Sequence, residues 1–561
     1  MAVDGLEQQS RYGFSLALRE GLAYVGAPGV MSRVGAVYVF EYDMDASEWS
    51  LQTRLGPFDA RPTTQFGASI AFDGPSTLIG APGDHRGLGV FYSFSRDGEG
   101  NWSSAQKVGS TQLEERAAFA TTVAIGENVT VVGVAGFDRR AGAVVIFERN
   151  ASDGWDERNL VVNERRGFPA VTGGEVVCEN SKAANFECED VNIVSFLPIM
   201  DIGGGRGTSV NDIWGWTDPQ SGREYAIVGR TEGTSFVDIT DPYNPKYLGD
   251  LPKTEGSRGS IWRDMKVYRD HVYIVADAAL EHGMQVFDLT QLRTVQNTPV
   301  TFTETYLYDG IHSAHNIVIN EQTGYAYAVG SSGGGETCGG GLHMISLENP
   351  AQPTFAGCFA DPTTGRRKTG YVHDAQCVIY HGPDTEHQGK EICMGSNETA
   401  LSIADVTDKD NPVPLSMITY PNVAYTHQGW FSEDQRFFYQ NDEGDEPQGL
   451  VEGTRTLVWD VTDLDDPVLV KEYIAETTTT DHNLYIRGDL MYQSNYGSGL
   501  RVLDISDPEN PVEIGFFDTT PYGGGGSWSN YPYFESGVII ATSMGDGLFV
   551  LKATKQPRLI P

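Results

Sequence analysis

The chain has 561 residues, with 39 Lys and Arg against 76 Asp and Glu, for a net charge of −37. So acidic a surface repels nucleic-acid phosphates and anionic membrane surfaces, which sets nucleic-acid binding aside. No apolar run reaches the roughly 18 residues of a membrane-spanning helix, Met1-Ala2-Val3-Asp4 opens no recognisable signal peptide, and the length points to two domains.

Glycine is abundant at 66 residues, and the apolar runs are short and bounded by Gly, Pro, Asn and Asp with almost no helical periodicity. This pattern predicts an all-β protein. Residues 1–165 carry a first repeat. Tyr12-Gly13-Phe14-Ser15, Phe66-Gly67-Ala68-Ser69 and Phe119-Ala120-Thr121-Thr122 lead to Gly26-Ala27-Pro28, Gly80-Ala81-Pro82 and Gly133-Val134-Ala135. Trp49, Trp102 and Trp155, 53 residues apart both times, close the copies. Over about residues 10–160 the pattern resembles FG-GAP repeats, the blades of integrin α-type propellers. Calcium-binding members of that family carry stacked carboxylates in a loop where this chain has Gly29–Arg33, Gly83–Arg86 and Gly136–Arg140, so no calcium is expected there. Three blades do not close a ring. The expectation is missing upstream sequence or packing on something else, including self-association through these blades.

Residues 166–190 read as a connector holding Cys178 and Cys188. With Cys338/Cys358 and Cys377/Cys393 they form three local pairs without CxxC spacing, which favours disulfides over zinc. Sequons at Asn101, Asn128, Asn150 and Asn397 agree with a glycoprotein of the secretory route, so an extracellular or cell-surface location is expected.

Residues 191–561 hold seven copies of a second repeat, each a short β-run with a polar residue near its start. That position reads Asp212, Asp264, His315, Gln376, His427, His482 and Asn530, spaced 48 to 61 residues apart. A period near 50 with several strands per copy predicts radial β-repetition, because one four-stranded blade cannot bury both faces alone. Most copies continue to a phrase such as Val237-Asp238-Ile239-Thr240-Asp241-Pro242, whose Asp, Asn and Pro favour a tight turn. The seventh, Leu548–Lys552, lacks a fourth strand, and residues 192–198 resemble one, so the two ends of the domain are expected to share a blade. The phrase resembles the LVIVD repeat, and about residues 190–552 resemble the choice-of-anchor B family of surface propeller proteins. The resemblance implies a seven-bladed β-propeller, preceded here by the incomplete three-blade unit, and a surface location more than a chemistry.

Side chains at one level of a propeller's inner strands face the axial channel. His315, His427 and His482 with Gln376, Asp264 and Asp212 would then converge as ligands for Mn, Fe, Zn or Cu. His312 and His373, each three residues ahead of the column, are candidates for a general base or a partner to the ligands at the channel mouth. The alternative is a polar, water-filled channel. The run Asp442–Glu446 reads as a solvated loop in preference to a calcium site. Three functions stay open: a surface protein binding extracellular protein or glycan partners, which leads because no catalytic motif is complete; a metal-dependent lyase, hydrolase or oxidase using the histidines; and a structural subunit of a surface filament.

Overall fold

The computed structural model describes residues 3, 5–103, 106–163, 167–521 and 526–559. Met1, Ala2 and Asp4, and the junction at residues 164–166, lie outside the described residues. The chain divides into two compact units, Met1–Arg165 and Arg166–Pro561, and both are built from small antiparallel β-sheets.

In the first unit three four-stranded meanders run from Ser15–Arg19 to Glu48–Leu55, from Ser69–Asp73 to Gln106–Val108, and from Phe119–Gly126 to Trp155–Val162. The paired motifs of its repeat have a mechanical origin. The Ser15 hydroxyl donates to the Gly67 carbonyl at 2.8 Å, and Ser69 donates to the Ala120 carbonyl at 3.0 Å, so each sheet is tied to the next. A Cβ on Gly80 would sit 2.2 Å from Ser69 Oγ and 2.1 Å from the Ala120 carbonyl oxygen, so only glycine leaves room for the tie. The loops discussed for calcium form one turn three times over, with consecutive left-handed residues at Met31 and Ser32, His85 and Arg86, and Asp138 and Arg139. Phe14, Leu16 and Leu18 at the unit's first strand are 50, 68 and 70 % exposed.

In the second unit the described residues form seven sheets of four or more strands and one two-stranded ribbon. One edge of each large sheet is an inner strand: β1 (Val210–Thr217), β2 (Arg263–Tyr268), β3 (Asn316–Asn320), β4 (Asp374–Ile379), β5 (Thr426–Phe431), β6 (Leu484–Arg487) and β7 (Ser527–Tyr531). Each inner strand lies against the next, and β7 lies against β1. Apolar clusters fill the spaces between neighbouring sheets, as where Tyr225, Ile227 and Phe236 of the first sheet meet Ile274 and Phe287 of the second. Burial against a neighbour on both faces supplies the hydrophobic stabilisation that a lone twisted sheet lacks.

The polar residue at the start of the inner strands has a structural task in several copies. Asp264 accepts the Ile317 N–H at 2.7 Å and Gln376 the Phe431 N–H at 2.7 Å, and in the fifth copy Gln428, the residue after His427, accepts the Leu484 N–H at 3.0 Å, so an inner strand's free edge is satisfied by its neighbour. The outer Asp phrase forms Asx turns. Asp238, Asp405, Asp460 and Asp504 each accept the N–H two residues on at 2.9 to 3.0 Å, and Asn244, Asn411 and Asn510 each donate to the Asp three residues back at 2.9 to 3.1 Å.

Strand Val191–Pro198 pairs antiparallel with Gly547–Ala553, from Val191 opposite Ala553 to Pro198 opposite Gly547. The segment read as a connector is not a free linker. Lys182–Ala183 and Phe186–Glu189 extend the sheet of β6 through Val512–Phe517, and Val171 and Val176 bridge to Phe196 and Ile193. Its apolar Phe186 packs on Phe196, Phe517 and Phe549, which gives the reason it stays attached. Disulfides join Cys178–Cys188, Cys338–Cys358 and Cys377–Cys393.

Candidate functional site

Four imidazoles stand in a row at the N-terminal ends of β3 to β6. Ring centroids are 4.1 Å apart from His315 to His373, 4.3 Å from His373 to His427, and 4.4 Å from His427 to His482. Each side chain is placed by the residue that enters an inner strand, so the row follows the succession of sheets. Gly330 keeps the row's first member in position: at φ +60° it lies so close that a Cβ would meet His315 Cβ at 2.6 Å.

All four rings use Nδ1 in the same way. Nδ1 lies 3.0 Å from Asp277 Oδ2 in His315, 3.0 Å from the His427 carbonyl in His373, 3.2 Å from Asn441 Oδ1 in His427 and 2.5 Å from the Trp528 carbonyl in His482. With oxygen acceptors at Nδ1, that nitrogen carries the proton and Nε2 presents its lone pair, which is how the partners of metal-binding histidines set the tautomer. Glu443 completes the group from the turn after Phe437–Asp442. Its Oε2 is 3.9 Å from His427 Nε2, and its Oε1 accepts the Tyr496 hydroxyl at 2.7 Å. Donor atoms of His373, His427 and Glu443 all lie within 4.8 Å of one another, the spread a single ion can span.

Burial, then the neighbouring rings, holds the His373 and His427 imidazoles well below their ordinary pKa. For His482 burial outweighs the attraction of Glu443 and brings the pKa down to about 4. Burial works to raise the Glu443 carboxyl, yet His482 and His373 keep it below the usual carboxylate range. Neutral imidazoles beside an ionised carboxylate are the protonation states that metal ligation needs. Tyr425, Tyr496 and Trp528 pack on the row with centroids 4.7 to 5.1 Å from its rings.

Not every residue of the expected column joins this group. His315, His427 and His482 do; His373, expected at the mouth, stands between two of them. Gln376 does not, because its carbonyl oxygen is committed to Phe431 and its side chain faces a cavity of about 220 Å³ with Trp214, Asp374, Trp430 and Tyr485. Asp212 and Asp264 belong to a different cluster around Lys266. Asp264 Oδ1 pairs with Lys266 Nζ at 2.7 Å, Asp212 Oδ2 accepts from Asn483 at 3.3 Å, and Lys266 lies over the Trp214 ring at 4.5 Å. Burial, then Asp264, pushes the Asp212 carboxyl well up, and burial takes Asp374 up to about 7. Asn530 is buried between strands, donating to Ser494 at 2.9 Å. His312 is half-buried and lines a separate surface cavity of about 640 Å³ with Glu255, Arg258 and Glu281.

Glu443, Asp277 and Asn441 were not legible as site residues. A signal for His373 existed: placing it in the column gives spacings of 58, 54 and 55 residues from His315 to His482, more even than the 61, 51 and 55 obtained through Gln376. The run Asp442–Glu446 is not a solvated loop, since Asp442 and Asp445 are fully buried. Of the sequons, Asn101 and Asn128 are exposed and Asn150 is half-buried. Asn397 is 1 % exposed, and its amide donates to Thr364 and Tyr371 at 3.0 Å each, bonds that a glycan would displace. Among the described residues no helix is long and apolar enough to cross a membrane.

No family model matches the chain, and no curated protein matches it. Among solved structures, a Cps50 (Swd1) β-propeller domain from Myceliophteria thermophila is similar at 10 % identity and TM-score 0.39, over 59 % of this chain and 92 % of that one. Hydrazine synthase from Kuenenia stuttgartiensis follows at 10 % identity and TM-score 0.38, over 56 % and 88 %. A protein of unknown function from Desulfotomaculum acetoxidans matches at 12 % identity and TM-score 0.37, over 59 % and 95 %. Likeness at that level leaves the architecture to be argued from the strands themselves.

Proposed function

We propose that the second unit is a seven-bladed β-propeller of the extracellular space that binds a transition-metal ion on its histidine row and carries out metal-dependent chemistry there. The cyclic succession from β1 to β7 and back to β1 supports the blade count, and three disulfides support the location. One observation carries the metal: four buried or nearly buried imidazoles, each with Nδ1 tied to an oxygen and Nε2 free, beside a carboxylate.

In this reading His373, His427 and Glu443 are the ligands, with His315 and His482 completing the set from either flank. Imidazole and carboxylate together suit Mn, Fe, Zn or Cu. Such an ion supplies Lewis acidity and acidifies a bound water. Tyr496 orients Glu443, Asp277 and Asn441 orient His315 and His427, and the aromatic side chains limit access of bulk water.

The test is elemental analysis of the purified full chain beside a His373→Ala/His427→Ala variant whose circular dichroism matches the parent. The expected result is close to one equivalent of a transition metal in the parent, or after reconstitution with Mn, Fe, Zn or Cu in turn, and none in the variant. Absence of metal in the parent under all four conditions refutes it. A second reading, recognition of an extracellular protein or glycan through surface loops, is favoured by the broad cavity holding Arg258, Glu255, Glu281 and His312. A pull-down weakened by Arg258→Ala but not by the histidine variant would select it.

A further inference from the structure

The three sheets of the first unit are joined by one set of bonds used twice. The Ser15 hydroxyl donates to the Gly67 carbonyl, and the Ser69 hydroxyl to the Ala120 carbonyl. In the same two joints the Gln65 N–H donates to the Arg33 carbonyl and the Ala118 N–H to the Gly87 carbonyl, both at 2.8 Å. Gly26 and Gly80 make room for the ties: a Cβ on either would meet the hydroxyl and the next sheet's carbonyl oxygen at 2.1 to 2.2 Å.

Among the described residues of the unit no fourth sheet follows the third, yet the third carries the same parts. Thr122 stands opposite Gly133 as Ser15 stands opposite Gly26 and Ser69 opposite Gly80. Thr122 is exposed, and a Cβ on Gly133 would meet only its hydroxyl at 2.2 Å, the three nearest atoms all being those of Thr122. The counterpart of the Arg33 and Gly87 carbonyls is that of Arg140. The first sheet carries the complementary parts: the carbonyl of exposed Gly13 matches those of Gly67 and Ala120, and the Arg11 N–H matches those of Gln65 and Ala118. The apolar faces agree. Leu78 of the second sheet is fully buried under the third, but its counterpart Val131 is 40 % exposed. Ile70 and Phe72 of the second sheet pack on the first, but their counterparts Leu16 and Leu18 are left in solvent.

We infer that the third sheet receives the first sheet of a second copy of this chain, and that two copies close a six-bladed ring through two such contacts. One unit carries both halves of the joint, so a second copy fits each end with bonds already used inside the unit. Contacts between unlike ends form a ring when the rotation closes and a filament when it does not. Two units of three sheets give six blades, within the roughly four to eight of closed propellers. Closure ties the Thr122 hydroxyl to the Gly13 carbonyl and the Arg11 N–H to the Arg140 carbonyl, and it takes both apolar faces out of water. No residue of the histidine row takes part, and the inference does not rest on the transition-metal reading.

The experiment measures the mass of the full chain by light scattering after size exclusion, over a dilution series. The expected parent species is a dimer. Leu16→Lys/Leu18→Lys at one end and Val129→Glu/Val131→Glu at the other should each raise the dimer Kd at least about 100-fold, because each puts unpaired charge into an apolar contact. All four positions are exposed in the single chain, so circular dichroism should stay that of the parent. Mixed together, the two variants should recover a heterodimer in native mass spectrometry, since it has one unaltered contact and one in which lysine meets glutamate. The His373→Ala/His427→Ala variant should dimerise like the parent, so failure of this contact is distinguishable from failure of the metal site. A monomeric parent assigns the two faces to another occupant, such as further blades of a longer chain, and overturns the inference. So does a dimer indifferent to both end variants, a mixture that stays monomeric, or a ladder of masses above the dimer.

Discussion

Replacing Asn441 by leucine tests whether the histidine row is held by its partners or only by packing. Asn441 is 1 % exposed; its Oδ1 accepts the Gln428 N–H at 3.0 Å and faces His427 Nδ1 at 3.2 Å, while its amide donates to the His482 carbonyl. Leucine has similar volume and none of these functions, so two donors and one acceptor would be stranded in the interior. At roughly 1–3 kcal/mol for each stranded group, less what leucine gains by burial and what relaxation recovers, the loss should be roughly 3–6 kcal/mol. Urea unfolding followed by tryptophan fluorescence reads this as a lowered midpoint at unchanged slope. In a His427→Ala background one stranded donor is already gone, and the cost of Asn441→Leu should shrink by about 1 kcal/mol. A leucine variant within about 0.5 kcal/mol of the parent, or a cycle without coupling, would refute the argument that these bonds hold the rings.

Other expected outcomes rest on separate parts of the structure. Tyr496→Phe removes the hydroxyl that Glu443 accepts and should weaken transition-metal affinity about 10–100-fold with little change in Tm, read by competition with a chromophoric chelator. In metal-free protein the fold favours neutral His482, so the unfolded chain takes up its proton first. Stability should therefore fall as pH drops from the ordinary histidine value of about 6.5 and level off below about 4. The contribution is roughly 3 kcal/mol, and urea midpoints at several pH values should fall less steeply in His482→Gln. Lys266→Met leaves Asp264, Asp212 and Asp374 without their shared cation and should cost roughly 3–5 kcal/mol at neutral pH, easing under acid as Asp374, which burial raises to about 7, protonates; an equal loss at pH 4.5 and 7.5 would contradict it. Reduction of Cys377–Cys393, which closes a span of 16 residues, should lower stability by roughly 3 kcal/mol, visible as a lower Tm in reductant.

What could be read from the sequence alone is local and periodic. An all-β chain follows from short strands punctuated by Gly, Pro, Asn and Asp, and the repeat of Asp238, Asp405, Asp460 and Asp504 marks turns because an Asp side chain reaches the N–H two residues on wherever it occurs. Which side chains meet at the axis was decided by strand phase. Aligning the fourth copy on its apolar residues selects Gln376, but β4 begins at Asp374, and the entering residue that matches His315, His427 and His482 is His373. A shift of three residues is odd, and an odd shift exchanges the faces of a strand, so a small error in register removes a ligand and substitutes an inter-strand clamp. Glu443 and Asp277 reach the row from turns in other parts of the repeat, beyond what spacing can place. The acidic run Asp442–Glu446 differs from its sequence reading for a related reason: charge in a sequence reads as solvent exposure, and only the tertiary structure buries Asp442 and Asp445 and pairs Asp445 with the buried Arg455.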